Sequence, residues 1–148
     1  MDGHDSPEDA AMVGFPIQHC RVVGSRVDGD DAYVLLDTGS VGQPYLYGVN
    51  CSRHDGLWRE DSSGNGSGWA LSETDTGLGT WSLWADAPQG ADLVRVEFAG
   101  ESSEHPTDDG VYLVVWFRTP NRPAPRVTAL RTNGVWVPQT DWLSRWLA

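Results

Sequence analysis

The dipeptides Asp55-Gly56, Asp109-Gly110 and Asn133-Gly134 constrain this chain more than any other feature. Each is followed at once by a run that carries an aromatic ring: Leu57-Trp58, Val111-Tyr112 and Val135-Trp136. Asp-Gly and Asn-Gly tolerate the positive φ angles of a type I′ turn, whose twist matches that of paired strands. A ring just beyond such a turn packs across the pair. The chain therefore reads as antiparallel β structure.

Strands are expected over residues 17–27, 32–37, 45–51, 57–60, 80–85, 93–99, 111–117, 126–131 and 135–137, from alternation or β-rich apolar runs between turn signals. Residues 111–117, VYLVVWF, are apolar at every position. That pattern suits a central strand covered on both faces, with 93–99 as its partner. Residues 61–68, DSSGNGSG, read as a Ser/Gly-rich loop. Residues 1–14 read as a flexible acidic tail. Residues 15–139 read as a single domain, which suits a chain of 148 residues. Over 140–148, Trp142, Leu143, Trp146 and Leu147 fall on one face of a short amphipathic C-terminal helix. The expected fold is all-β: a two-sheet antiparallel β-sandwich, immunoglobulin-like in the loose sense, with a small β-barrel as the alternative.

Charge and composition remove several function classes. All ten basic residues are Arg and none is Lys, a bias that fits a GC-rich coding sequence. Without Lys there is no Schiff base, no anchor for a pyridoxal cofactor and no phosphate-loop lysine. No cofactor is expected. The formal charge of −11 repels phosphate backbones and anionic headgroups, which argues against nucleic acid and membrane as partners. No apolar run approaches the roughly 18 residues of a membrane span. The first residues lack the basic and apolar regions of a secretory signal, so the expected location is cytoplasmic, or secreted if a leader has been removed.

Four constellations carry candidate chemistry. Val34-Leu35-Leu36-Asp37-Thr38-Gly39-Ser40 resembles the catalytic loop of aspartic proteases, a resemblance of seven residues that implies Asp37 as a catalytic carboxylate. That family pairs two such carboxylates around one proton, so a chain with one copy implies a homodimer. The bland reading is a turn leaving a strand. Residues 27–34 and 53–58 resemble the strand pairs of NTF2-like domains, a family whose fold places several helices ahead of such strands. Asp61, Ser63 and Asn65, with Gly66 in sixth place, resemble the first half of a calcium loop; Ser72 stands where the twelfth-position acid belongs. No metal is expected, because a surface loop explains this spacing as well.

Cys20 and Cys51 are the two cysteines. Cys51-Ser52-Arg53-His54 has a spacing that zinc ligands use, and either His19 or Cys20 could join it, which leaves three ligands at most. Buried free thiols are the alternative in a reducing compartment, and in an oxidising one a bridge closing about 30 residues would contribute roughly 3–4 kcal/mol. Eight Trp residues exceed what a core of this size needs, so exposed rings at Trp84, Trp142 and Trp146, with Leu143 and Leu147, are candidate binding residues. The leading expectation is a non-enzymatic acidic domain that binds a protein partner or its own copy. A carbohydrate- or calcium-dependent binding module and a homodimeric aspartic-type hydrolase using Asp37 are the alternatives.

Overall fold

The computed structural model describes residues 3–15, 20–39, 45–71 and 77–139. Among them are one helix, α1 (Pro7–Met12), and eleven strands: β1 (Arg21–Asp28), β2 (Asp31–Asp37), β3 (Leu46–His54), β4 (Leu57–Gly64), β5 (Gly68–Leu71), β6 (Leu78–Asp86), β7 (Ala91–Phe98), β8 (Glu101–Pro106), β9 (Val111–Pro120), β10 (Arg126–Thr132) and β11 (Val135–Pro138). The three signature dipeptides do what their chemistry dictates. Asp55 and Gly56 stand at φ 52° and 79°, Asp109 and Gly110 at 50° and 77°, and Asn133 and Gly134 at 53° and 80°. Both central residues at positive φ define the type I′ family. The turns at 55–56 and 133–134 join β3 to β4 and β10 to β11, with His54 facing Leu57 and Thr132 facing Val135.

The strands form three antiparallel sheets, in the orders β1-β2-β3-β4, β11-β10-β7-β8 and β5-β6-β9, and none closes into a barrel. Two sheets were expected. The third arises because the Gly/Ser stretch is not a loop: Ser62, Ser63 and Gly64 pair with Asn50, Val49 and Gly48 across a bulge at Asp61. The chain then turns through Asn65–Ser67 and starts β5, which pairs with β6 through Trp69 opposite Trp81.

The chain divides into two compact units, one made of Met1–Ser82 and Val115–Asn121, the other of Leu83–Val114 and Arg122–Ala148. In the first, β2 is an inner strand with Ala32 to Leu36 all buried. Ala32, Val34 and Leu36 join Val49, Cys51 and Trp58 on one face, and α1 covers them with Ala10 and Ala11. Residues 7–12 were expected inside a flexible tail. They form a helix because Ser6 caps it, its hydroxyl accepting from the Asp9 amide at 3.1 Å, Pro7 opens the first turn, and Glu8 and Asp9 complement the dipole there. On the other face of β2, Tyr33 and Leu35 are 3% and 0% exposed, so the sheet is apolar on both sides.

Arg118, itself at φ 49°, locks the β1–β2 turn in the same unit. Its guanidinium reaches the carboxylates of Asp28 and Asp31, each at 2.6 Å, and donates to the Asp28 carbonyl at 3.2 Å. Arg53 holds the same turn from the other side through the Asp30 carboxylate at 2.9 Å and the Gly29 carbonyl.

In the second unit, Val94, Val96, Ala129 and Leu130 supply buried side chains. Residues 93–99 do not pair with 111–117 as expected. β7 pairs with β10 on one side and β8 on the other, the latter through a tight turn at Ala99-Gly100 with φ of 55° and 80°. β9 stands at the end of the order β5-β6-β9 rather than at a sheet centre, although Val111 to Val114 are buried. An apolar run reports burial on both faces, and an end strand achieves that when other elements cover it. The helix expected over 140–148 lies outside the described residues.

Gly79 gives a direct test of the third sheet. A Cβ there would collide with the Ala70 carbonyl oxygen and sit 2.8 Å from the Trp69 ring, whereas one at Gly66 meets nothing within 4 Å. Gly79→Ala should destabilise the protein by about 1–3 kcal/mol, the usual range for forced overpacking, and Gly66→Ala should be close to neutral. Urea denaturation of the two variants checks this.

Candidate functional site

Asp37 ends β2, and its carboxylate is spent on the turn that follows. Oδ1 accepts from the amides of Gly39 at 2.9 Å and Tyr45 at 3.0 Å, while Oδ2 lies 3.5 Å from the Arg21 guanidinium. Thr38 closes the same turn, its amide and hydroxyl both donating to the Tyr45 carbonyl. This is the Asx chemistry that makes Asp-Thr-Gly a strand exit.

A polar cluster lies on β3 and β4. Ser52 Oγ stands 2.8 Å from Asp61 Oδ1 and 2.9 Å from His54 Nε2. Ser52 and His54 share a face because they are two apart on a strand, and the bulge at Asp61 turns its carboxylate toward them. The arrangement contains a serine, a histidine and an aspartate, but its connectivity differs from that of an activated triad, because the carboxylate contacts the serine. Ser52 has one proton, and an ionised Asp61 can only accept it. His54 must then donate through Nε2–H, so it offers the hydroxyl no lone pair. In an activated triad the histidine takes the serine proton and the carboxylate orients the histidine. Here the carboxylate holds the serine.

Beside this cluster is a small depression bordered by Asp31, Asn50, Asp61, Leu71 and Thr80, with about 10 Å³ of room, enough for a single water. It falls below the size of ordinary small-molecule sites. Beneath it, Cys51 is 2% exposed and its thiol donates to the Pro7 carbonyl at 3.7 Å. Burial first, then the carboxylates of Asp61, Glu60 and Glu8, push the Cys51 thiol up to about 12. Cys20 is only partly buried; burial and then Asp37 raise its thiol as well. Both cysteines are free thiols. His19 lies outside the described residues, and among the described residues no group of three His, Cys, Asp or Glu side chains is placed to hold a metal.

The calcium-like residues are separated by the strand. Asp61 and Ser63 belong to β4, Asp61 accepts from Ser52, and Asn65 donates its side-chain amide to the Tyr45 hydroxyl. Of the expected binding rings, Trp84 is buried at 8% exposure. Trp142, Leu143, Trp146 and Leu147 lie outside the described residues. Two indoles that do sit together are Trp69 and Trp81, half-buried, 5.4 Å apart and tilted by 45°. Leu71 follows Trp69 by two positions and is 61% exposed. Sequence reading missed this pair because it places no strand over 69–71, where only the Gly-Trp-Ala-Leu run at 68–71 hints at one.

Comparison with protein-family models, curated proteins and solved structures finds no match.

Two measurements test this geometry. Asp37→Asn keeps an oxygen acceptor and should be tolerated, whereas Asp37→Ala should cost about 1–3 kcal/mol by stranding two amides, as read by denaturant midpoints. The Cys51 thiol keeps its proton in the folded protein at a pH where the unfolded chain loses it. Its contribution to stability is therefore complete below pH ~9 and is lost as pH rises toward 12. Cys51→Ala should flatten that alkaline decline in a melting-temperature profile.

Proposed function

We propose that this chain is a non-enzymatic, acidic β domain that binds a cationic protein partner. The observation that supports it is how the charges are used. Among the described residues, at least six of the ten arginines, Arg21, Arg53, Arg95, Arg118, Arg126 and Arg131, are engaged in ion pairs with the chain's own carboxylates. Arg131 grips both oxygens of Asp92 and holds that carboxyl below its ordinary range. With these cations paired at the surface, the chain keeps a net charge of −11. Glu101 on β8 and Asp108 and Asp109 beyond it are exposed. Such a surface steers cationic partners and repels a second copy of itself, which favours a different protein over self-association. A sandwich-like packing of the sheets, immunoglobulin-like in the loose sense, is the scaffold this reading assumes.

A peptide rich in arginine should bind, and binding should weaken about ten-fold or more between 50 and 300 mM salt as the Debye length shortens. The triple variant Glu101→Gln, Asp108→Asn, Asp109→Asn should bind several-fold more weakly with an unchanged melting temperature. Binding of equal strength to a glutamate-rich peptide, or no salt dependence, would remove the reading.

The Trp69–Trp81 pair favours a second reading, a carbohydrate-binding module in which the rings stack on a sugar face. Thermal stabilisation by a panel of oligosaccharides, lost in Trp69→Ala, separates it from the first.

A further inference from the structure

The open edge of β8 deepens the charge-based reading, on which the inference drawn from it rests. β8 is an end strand, with β7 on one side and no strand among the described residues on the other. Proteins close such edges because unpaired N–H and C=O groups invite another chain. Two of the usual devices are visible in the β1–β4 sheet. β1 carries a shift in register between Val22 and Gly24, and the outer side of β4 is taken by His4, which exchanges two backbone hydrogen bonds with Trp58 at 2.9 and 2.8 Å. β8 has neither. It pairs with β7 in unbroken register, from Phe98 opposite Glu101 to Leu93 opposite Pro106, and Glu101 to Glu104 are all exposed.

The tight turn decides which backbone groups of β8 are free. With Ala99 and Gly100 both at positive φ, the flanking Phe98 and Glu101 form the hydrogen-bonded pair of a two-residue hairpin. Every second pair repeats it, through Val96 with Ser103 and Val94 with His105, and the Thr107 amide continues the series by donating to the Asp92 carbonyl at 3.0 Å. Ser102 and Glu104 therefore point their N–H and C=O groups away from β7, and Pro106, which has no N–H, closes the row. What guards this edge is charge. Glu104 is met by Arg95 at 3.0 Å, whereas Glu101 at one end and Asp108 and Asp109 beyond Pro106 at the other are exposed. A second copy laid on the edge would bring these carboxylates against their own counterparts, and like charges across a strand pair repel.

We propose that the outer edge of β8 takes up a strand from a cationic protein partner. The partner supplies an extended segment of about six residues, bonded through its backbone to Ser102 and Glu104, with Arg or Lys set against Glu101 at one end and Asp108 and Asp109 at the other. At about 3.3 Å per residue the acidic ends stand roughly 20 Å apart, within reach of such a segment.

The test uses the whole chain and a capped peptide, Arg-Thr-Val-Thr-Val-Arg, against a counterpart of equal charge that cannot add as a strand, Arg-Thr-Pro-Thr-Pro-Arg. Calorimetry with up to about 1 mM peptide should show the first binding about ten-fold or more tightly than the second. Ser102→Pro removes an outward N–H without changing charge or the ladder to β7. It should weaken the first peptide about ten-fold and leave the second unchanged, with the melting temperature showing that the variant is folded. In the unaltered protein, hydrogen exchange at the Ser102 and Glu104 amides should slow about five-fold or more when the first peptide is bound. Equal binding of the two peptides, full affinity in folded Ser102→Pro, or unprotected Ser102 and Glu104 amides at saturation would overturn strand addition and leave the charge-based reading in place. Binding of neither peptide would overturn both. A concentration-dependent dimer that Ser102→Pro dissolves would show the edge to be filled by a second copy, which overturns the proposal as well.

Discussion

A two-residue turn with both residues at positive φ leaves a hairpin no slack in register, and most of this structure follows from that constraint. Once Asp55-Gly56 joins β3 to β4, His54 must face Leu57 and Arg53 must face Trp58. The Arg53 guanidinium then lies 5.2 Å from the indole centre while its Nε reaches Asp30. A slip of one residue would send Trp58 to the opposite side of the sheet and leave α1 without its floor. At Asn133-Gly134 the same geometry sets Trp136 opposite Arg131, and the Arg95 guanidinium stacks 4.1 Å above the Trp136 ring. These contacts are tertiary, but a local backbone preference places them.

That local origin explains which parts of the fold were legible. The turns were readable because Asp-Gly and Asn-Gly carry a direct steric signal. β2 was readable because residues on both its faces are apolar. β8 was not, since Glu-Ser-Ser-Glu-His-Pro has neither alternation nor β propensity, and it is a strand because the Ala99-Gly100 turn folds it back on β7. Ala at φ 55° is a costly choice that no dipeptide table would favour. The pairing of β7 with β10 joins residues from 29 to 41 positions apart, with shifts in register, and nothing local encodes it. The candidate site was legible in part. Asp37 as a strand-leaving turn follows from its composition, whereas the meeting of Ser52, His54 and Asp61 depends on a bulge that alternation cannot foresee.

The Ser52 cluster shows why residue types alone are a weak guide to chemistry. Serine, histidine and aspartate within 3 Å contacts satisfy any search by composition, but one proton on Ser52 Oγ decides what they can do. Because Asp61 takes that proton's hydrogen bond, the imidazole is a donor and the hydroxyl is tethered between two neighbours. A polar network of this kind satisfies groups at a sheet surface and specifies the bulge that supports it. The buried thiol beneath has the same character: its carboxylate neighbours and its burial both disfavour the thiolate, which is the form that reacts.

The absence of lysine has consequences beyond the cofactors it excludes. A guanidinium presents five donors in a planar fork, and an ammonium presents one point of charge. Arg118 uses its fork to meet two carboxylates and a carbonyl of the same turn at once, and Arg131 uses both arms on Asp92. Each such bridge is half-exposed and individually weak. Their geometry matters more than their energy, since a bidentate cation fixes orientation where a single charge only attracts. A chain whose cations are all arginine can therefore pin its acidic turns with few of them. The carboxylates that remain carry the chain's net charge of −11, and any partner selected by charge meets those first.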